Sequence, residues 1–137
     1  MIDSELHETR LSALILALER SLRRSYHTSQ ITPARLSALH TISGIRRCTI
    51  GQLAQAEQVT APTITGIVDA LVKSSLIVRS PDQSDRRISR LELTDSGRSV
   101  LEEWYAWRAD RIEEKIAESG LSDSEVEQSV NALSRLI

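Results

Sequence analysis

Cysteine occurs once in these 137 residues, at Cys48. No disulfide can close within the chain, and the expected compartment is the reducing cytoplasm. No apolar run approaches the roughly 18 residues that a membrane span needs, so no membrane partner is expected. The start, Met1-Ile2-Asp3-Ser4-Glu5, is acidic and has neither the basic beginning nor the apolar centre of a signal peptide. A glycine-rich phosphate loop, a Cys–His constellation and an acidic pair in a recognisable active-site setting are all missing. That argues against an enzyme, and no cofactor is expected. His7, His27 and His40 are far apart and lack acidic or thiol partners at metal spacing, so no zinc site is indicated. Phenylalanine is absent altogether.

What is present is ordinary globular material: 40% apolar and 26% charged residues, in a chain the length of one domain. The net charge of −2 conceals a pattern. Residues 1–29 are neutral overall, 30–98 carry +3 and 99–137 carry −5. Such an asymmetry points the middle of the chain toward phosphates.

Hydrophobic spacing predicts a first helix from Leu6 to Tyr26, striped by Leu11, Leu14, Ile15, Leu18 and Leu22. Ala13, Leu16 and Ala17 broaden the stripe until Leu11–Leu18 is apolar almost all round, as in a helix buried between two partners. Thr32-Pro33 opens a second helix that buries Leu36, Leu39 and Ile42, and Gly44 suits a left-handed stop. Thr49-Ile50-Gly51-Gln52 is a capping box for a short helix to about Gln58. Thr60 is expected to cap the next helix, with Pro62 in its first turn and Ile64, Ile67, Val68, Leu71 and Val72 on its inner face. The period then changes. Ile77-Val78-Arg79 reads as a strand, Ser80–Asp85 as a polar loop, and Leu91 and Leu93 alternate with polar residues in a return strand. Thr94-Asp95-Ser96-Gly97 starts a long helix to about Ser119, Gly120 ends it, and Ser122-Asp123-Ser124-Glu125 caps a final helix striped by Val126, Val130, Leu133 and Ile137.

Three short helices followed by a hairpin make the winged helix-turn-helix plan, in which the third helix is presented to the major groove. The fold class expected is therefore mainly α with a small β-hairpin. The outer face of the Thr60–Ser74 helix shows Thr60, Ala61, Pro62, Thr63, Thr65, Gly66, Asp69 and Lys73. Small hydroxyl residues there can approach base edges, and threonine methyls can meet thymine methyls; the same threonines can equally be caps and fillers of a solvated face. At the hairpin tip stands Asp85-Arg86-Arg87. A basic tip can place Arg87 in the narrow minor groove, where the negative potential is strongest. Asp85 can hold Arg87 by a charge-assisted hydrogen bond, leaving Arg86 for phosphate. Arg79 and Arg90, on the strands, are further candidates for phosphate contact.

These residues also resemble a known family. Ile50-Gly51-Gln52-Leu53-Ala54, Pro62-Thr63-Ile64-Thr65 with Ile67-Val68-Asp69 and Leu71, and above all Asp85-Arg86-Arg87 followed by Leu91-Glu92-Leu93-Thr94 and Gly97, resemble the MarR family of bacterial regulators. The likeness covers nearly the whole chain. It implies a homodimer joined by its terminal helices, residues 1–29 and 99–137, carrying winged lobes of residues 30–98. It further implies a pseudo-palindromic duplex DNA operator, usually repression, and release by a small phenolic ligand or by thiol oxidation. On that resemblance Tyr26, His40 and Trp104 are candidates to line a pocket for a small aromatic effector; aromatics at this spacing are equally simple core. Two positions depart from the family pattern. Gly66 stands where many members have arginine, and Ser75 replaces a glycine before the wing. Cys48, near Arg46 and Arg47, is open to two readings: a thiol of lowered pKa that senses oxidants, or an inert, partly buried side chain with no second cysteine to resolve a sulfenic acid. The same fold also serves as a protein-contact module, an antirepressor for instance. Gly66 and the modest +3 favour that use, whereas Asp85-Arg86-Arg87 favours DNA.

Overall fold

The computed structural model describes the backbone of residues 2–23 and 31–137, and the side chains of 7–22 and 31–137. In chain order the elements are α1 (Ile2–Arg23), α2 (Pro33–Gly44), β1 (Cys48–Thr49), α3 (Ile50–Glu57), α4 (Ala61–Lys73), β2 (Ile77–Pro81), β3 (Ser89–Leu93), α5 (Asp95–Ser119) and α6 (Asp123–Ser134). The chain forms two compact units. One comprises Met1–Thr28 with Ala106–Ile137, the other Ser29–Tyr105.

Local chemistry explains most of the boundaries in the second unit. Thr32 Oγ1 accepts from the Arg35 amide and Pro33 opens α2. The capping box is complete at α3: Gln52 N donates to Thr49 Oγ1 at 3.1 Å and Thr49 N donates to Gln52 Oε1 at 3.0 Å. Gln58 turns left-handed, φ 53°, to close α3 and make the tight link to α4. Other expectations need correction. Gly44 stays helical, and the left-handed residue comes three positions later, at Arg47 with φ 53°. Thr60 occupies the N-cap position of α4, but its hydroxyl meets the Thr63 hydroxyl at 3.0 Å instead of capping. On α4, Ile64, Val68 and Leu71 are buried and Ile67 half-buried, but Val72 is exposed.

The sheet has three strands in the order β1-β3-β2, both pairings antiparallel. Leu91 faces Cys48 on one side and Arg79 on the other. The two-residue β1 was not legible as a strand, because two residues carry no period. Leu91 and Ile77 enter an aliphatic core with Ala38, Leu39, Ile42, Cys48, Leu53, Ile64, Val68, Leu71 and Leu101. Burying each of the larger of these side chains contributes roughly 1.5–3 kcal/mol, so the helices and wing of this unit share one source of stability.

The junction between α4 and the start of α5 is equally specific. Ser75 is left-handed, φ 58°, in the place where the resemblance calls for glycine. Thr94 then ties this turn to α5: its Oγ1 donates to the Ser75 carbonyl at 2.6 Å and accepts from Gly97 N at 3.0 Å, while its amide donates to the Leu76 carbonyl at 3.1 Å. A Cβ on Gly97 would lie 2.0 Å from that same Leu76 oxygen. Glycine in the Leu-Thr-x-x-Gly run is thus dictated by close backbone approach.

In the first unit, α1 exposes Leu11, Leu14, Ile15, Leu16 and Leu18, and α6 exposes Val130 and Leu133. Arg108 of α5 pairs with Glu19 of α1. Gly120, φ 71°, stops α5, and Ser122 with Glu125 forms the second capping box, as expected. Among the described residues no helix is long and apolar enough to cross a membrane.

Candidate nucleic-acid interface

The tight Gln58-Val59-Thr60 turn sets α3 and α4 in a helix-turn-helix, and the inward residues of α4 leave Thr60, Ala61, Pro62, Thr63, Thr65, Gly66, Asp69 and Lys73 all exposed. Thr65 Oγ1 donates to the Ala61 carbonyl at 2.8 Å, so its methyl group is the part free to meet a neighbour. A Cβ at Gly66 would meet nothing within 4 Å, so a side chain there would project into open space.

At the wing tip the acidic-basic pair is built as its spacing suggests. Arg87 donates from Nε to Asp85 Oδ1 and from Nη2 to Asp85 Oδ2, both at 3.1 Å, and its amide donates to Asp85 Oδ1 at 3.0 Å. The Arg87 side chain is nevertheless 90% exposed. Its bonds hold the Asp85 carboxyl below the usual carboxylate range, and the carboxylate in turn raises the Arg87 pKa. Arg86 is exposed beside it. The result is a cation held in one rotamer with its outer edge open to an anion, next to a second, freer cation.

The strand arginines are engaged within the protein. Arg79 Nη2 donates to Asp69 Oδ1 at 2.9 Å. Arg90 donates from Nε to Asp82 Oδ1 at 2.7 Å and from Nη1 to the Arg47 carbonyl at 2.9 Å. Asp82 itself was not singled out by sequence. It looks like an ordinary turn residue after Pro81, yet it is 4% exposed and also accepts from Arg47 Nη2. The signal was out of reach, since Arg47 lies 35 positions away. Hydrogen bonds from the Ser84 hydroxyl, then Arg90, then the Ser84 and Asp85 amides hold the Asp82 carboxyl well below the usual range, against the opposing effect of burial.

Comparison with known proteins identifies the family: the MarR family signature matches residues 31–100. The chain belongs to the MarR family. These are DNA-binding transcriptional regulators with a winged helix, not enzymes. An HTH-type transcriptional regulator of Mycobacterium bovis is 27% identical over 127 residues, covering 92% of this chain and 89% of the relative. The repressor MdtR of Bacillus subtilis is 30% identical over 98 residues, covering 72% and 63%. A probable transcriptional regulator from Pseudomonas aeruginosa superimposes with TM-score 0.71 at 30% identity, covering 96% of this chain and 99% of that one.

The remaining candidates of this MarR protein are placed as follows. Tyr26 lies outside the described residues. His40 and Trp104 come together through a residue that sequence did not nominate, Tyr105. The His40 Nδ1 is hydrogen-bonded to the Tyr105 hydroxyl, the two rings meet edge-on at 5.8 Å, and Trp104 lies 5.0 Å from Tyr105. Trp104 also packs against the core, and burial pushes the Tyr105 hydroxyl pKa up. Cys48 is fully buried. Burial raises its pKa, and the opposing pull comes from Arg90 rather than from Arg46 or Arg47, so of the two readings the geometry favours the inert, buried side chain.

Proposed function

We propose that this MarR protein is a repressor that binds pseudo-palindromic duplex DNA as a homodimer. Each α4 enters a major groove with Thr60, Ala61, Pro62, Thr63 and Thr65 toward base edges, Gly66 beside them and Lys73 near the backbone. Arg87 enters the flanking minor groove, and Arg86 meets phosphate. Arg79, shared with Asp69, is a further phosphate contact at the wing's first strand. The observation that carries this reading is the exposed Arg87 splinted by Asp85: a rigid cation loses little freedom on entering a groove. The dimer rests on the exposed apolar residues of α1 and α6, which need cover in water. A small aromatic effector near His40 and Trp104 would act by altering the spacing of the two DNA-binding lobes.

Selection of genomic fragments by the purified protein, followed by salt titration on the best fragment, tests the DNA reading. Arg87→Ala is expected to weaken binding more than about tenfold, whereas Arg86→Ala mainly flattens the salt dependence by about one unit of slope. Unchanged affinity in the first variant would reject the minor-groove assignment. Enrichment of no fragment at all would favour the protein-contact use of the fold.

A further inference from the structure

The wing of a DNA-binding protein ordinarily gains from added positive charge, yet its single buried charged side chain among the described residues is an aspartate. Asp82 closes a triangle. Its Oδ1 accepts from Arg90 Nε at 2.7 Å and from Arg47 Nη2 at 3.2 Å, and Arg90 Nη1 returns to the Arg47 carbonyl at 2.9 Å. The left-handed Arg47 belongs to the turn that leads directly into β1 and the capped start of α3. Arg90 lies on β3. Through its other oxygen, Asp82 accepts from Ser84 Oγ at 2.5 Å, Ser84 N at 3.0 Å and Asp85 N at 3.2 Å. Asp85 is the residue that splints Arg87. One carboxylate therefore links the helix-turn-helix entry on one side to the DNA-facing tip on the other.

We infer that Asp82, with Arg47 and Arg90, is the positioning device that sets the wing tip at a fixed distance from the recognition helix, and that Arg47 and Arg90 serve Asp82 rather than phosphate. The inference rests on the DNA-binding reading above. The two roles for the arginines predict opposite signs. If they were phosphate ligands, neutralising Asp82 would free two cations and remove a negative charge, so DNA would bind more tightly. If they position the wing, the same change slackens Arg87 and DNA binds more weakly. In Asp82→Asn the amide must set its NH2 group against donors whichever way it turns, Arg47 and Arg90 on one side or the Ser84 and Asp85 amides on the other.

The test measures affinity for the selected operator fragment and hydrogen exchange of the wing amides in the DNA-free protein. Asp82→Asn is expected to weaken binding by roughly tenfold, approaching the loss in Arg87→Ala, and to speed exchange at Ser84, Asp85 and Arg87. Arg90→Lys, which keeps the charge but cannot bridge Asp82 and the Arg47 carbonyl together, is expected to lose affinity in the same direction. Should Asp82→Asn disturb folding, Arg90→Lys decides through exchange in the DNA-free protein. Faster exchange at Ser84 and Asp85 supports the anchor, and unchanged rates overturn it, because loss of a phosphate contact would leave those amides as they are. Equal or tighter binding by either folded variant overturns the inference. A wild-type protein that selects no DNA would instead defeat the DNA reading. The exchange rates would then still decide whether Asp82 holds the tip: unchanged rates overturn the anchor, faster rates support it.

Discussion

At the scale of single residues, two glycines with the same symbol have opposite meanings. Gly97 sits against the Leu76 carbonyl, where a methyl group would come within 2.0 Å of a backbone oxygen. The oxygen cannot retreat, because it accepts the Thr94 amide that joins the wing to α5. Gly97→Ala is therefore expected to destabilise the protein by about 3 kcal/mol or more, read from denaturant melts. Gly66 is helical and surrounded by open space. Gly66→Ala should stabilise by about 0.5–1 kcal/mol through reduced freedom of the unfolded chain. Gly66→Arg should tighten operator binding and steepen its salt dependence by about one unit. A loss of stability in Gly66→Ala would show that the position is constrained by something other than helix propensity. The family likeness made both glycines noticeable, but which of them was obligatory depended on an approach between residues 21 positions apart in the chain, and no local pattern carries that.

At the scale of elements, the wing is a hairpin that could not stand alone, and two kinds of support hold it. The apolar one was readable: alternating Leu91 and Leu93 predicted a face that leans on helices. The polar one was hidden, because Asp82, Arg47 and Arg90 come from three different segments. The buried carboxylate gives the wing a definite pH response. Asp82 faces Arg90 from β3, Arg47 from the turn before β1, and Asp85 from the tip. Its folded pKa lies below the ordinary value, so its contribution is fully present above the unfolded pKa near ~3.9 and is lost as pH falls through the folded value. Asp85, lowered by Arg87, acts in the same direction. Amide chemical shifts of Ser84 and Asp85 are expected to stay constant from pH 7 down to about pH 4 and to move only below it. Movement between pH 7 and 5 would mean that another group controls the wing. The third strand, β1, is an element that sequence did not reveal. Its two residues are a strand only because β3 supplies the partner.

For the molecule as a whole, apolar side chains distributed over α1 and α6 stand in water on a single chain, Leu14 at 58% and Leu18 at 49% exposure. A monomer of 15.3 kDa would carry that cost continuously. Light scattering at low micromolar concentration is expected to give twice this mass, and Leu14→Glu with Leu18→Glu should return it toward one chain while the winged unit stays folded. A wild-type mass of one chain would refute the dimer.

The order of the helices and of the two wing strands, most helix starts and the tip motif were settled by the chain itself, because caps, periodicity and turn residues act over three or four positions. Both capping boxes, the Pro33 helix start and the Gly120 stop came out as local chemistry required. Tertiary structure decided the rest: that Val72 faces water, that Cys48 is sealed in the core, that Tyr105 joins His40 to Trp104, and that Arg90 answers to Asp82. Each of these depends on which segments meet in space, and the energy of a buried charge or a close approach exists only once they do.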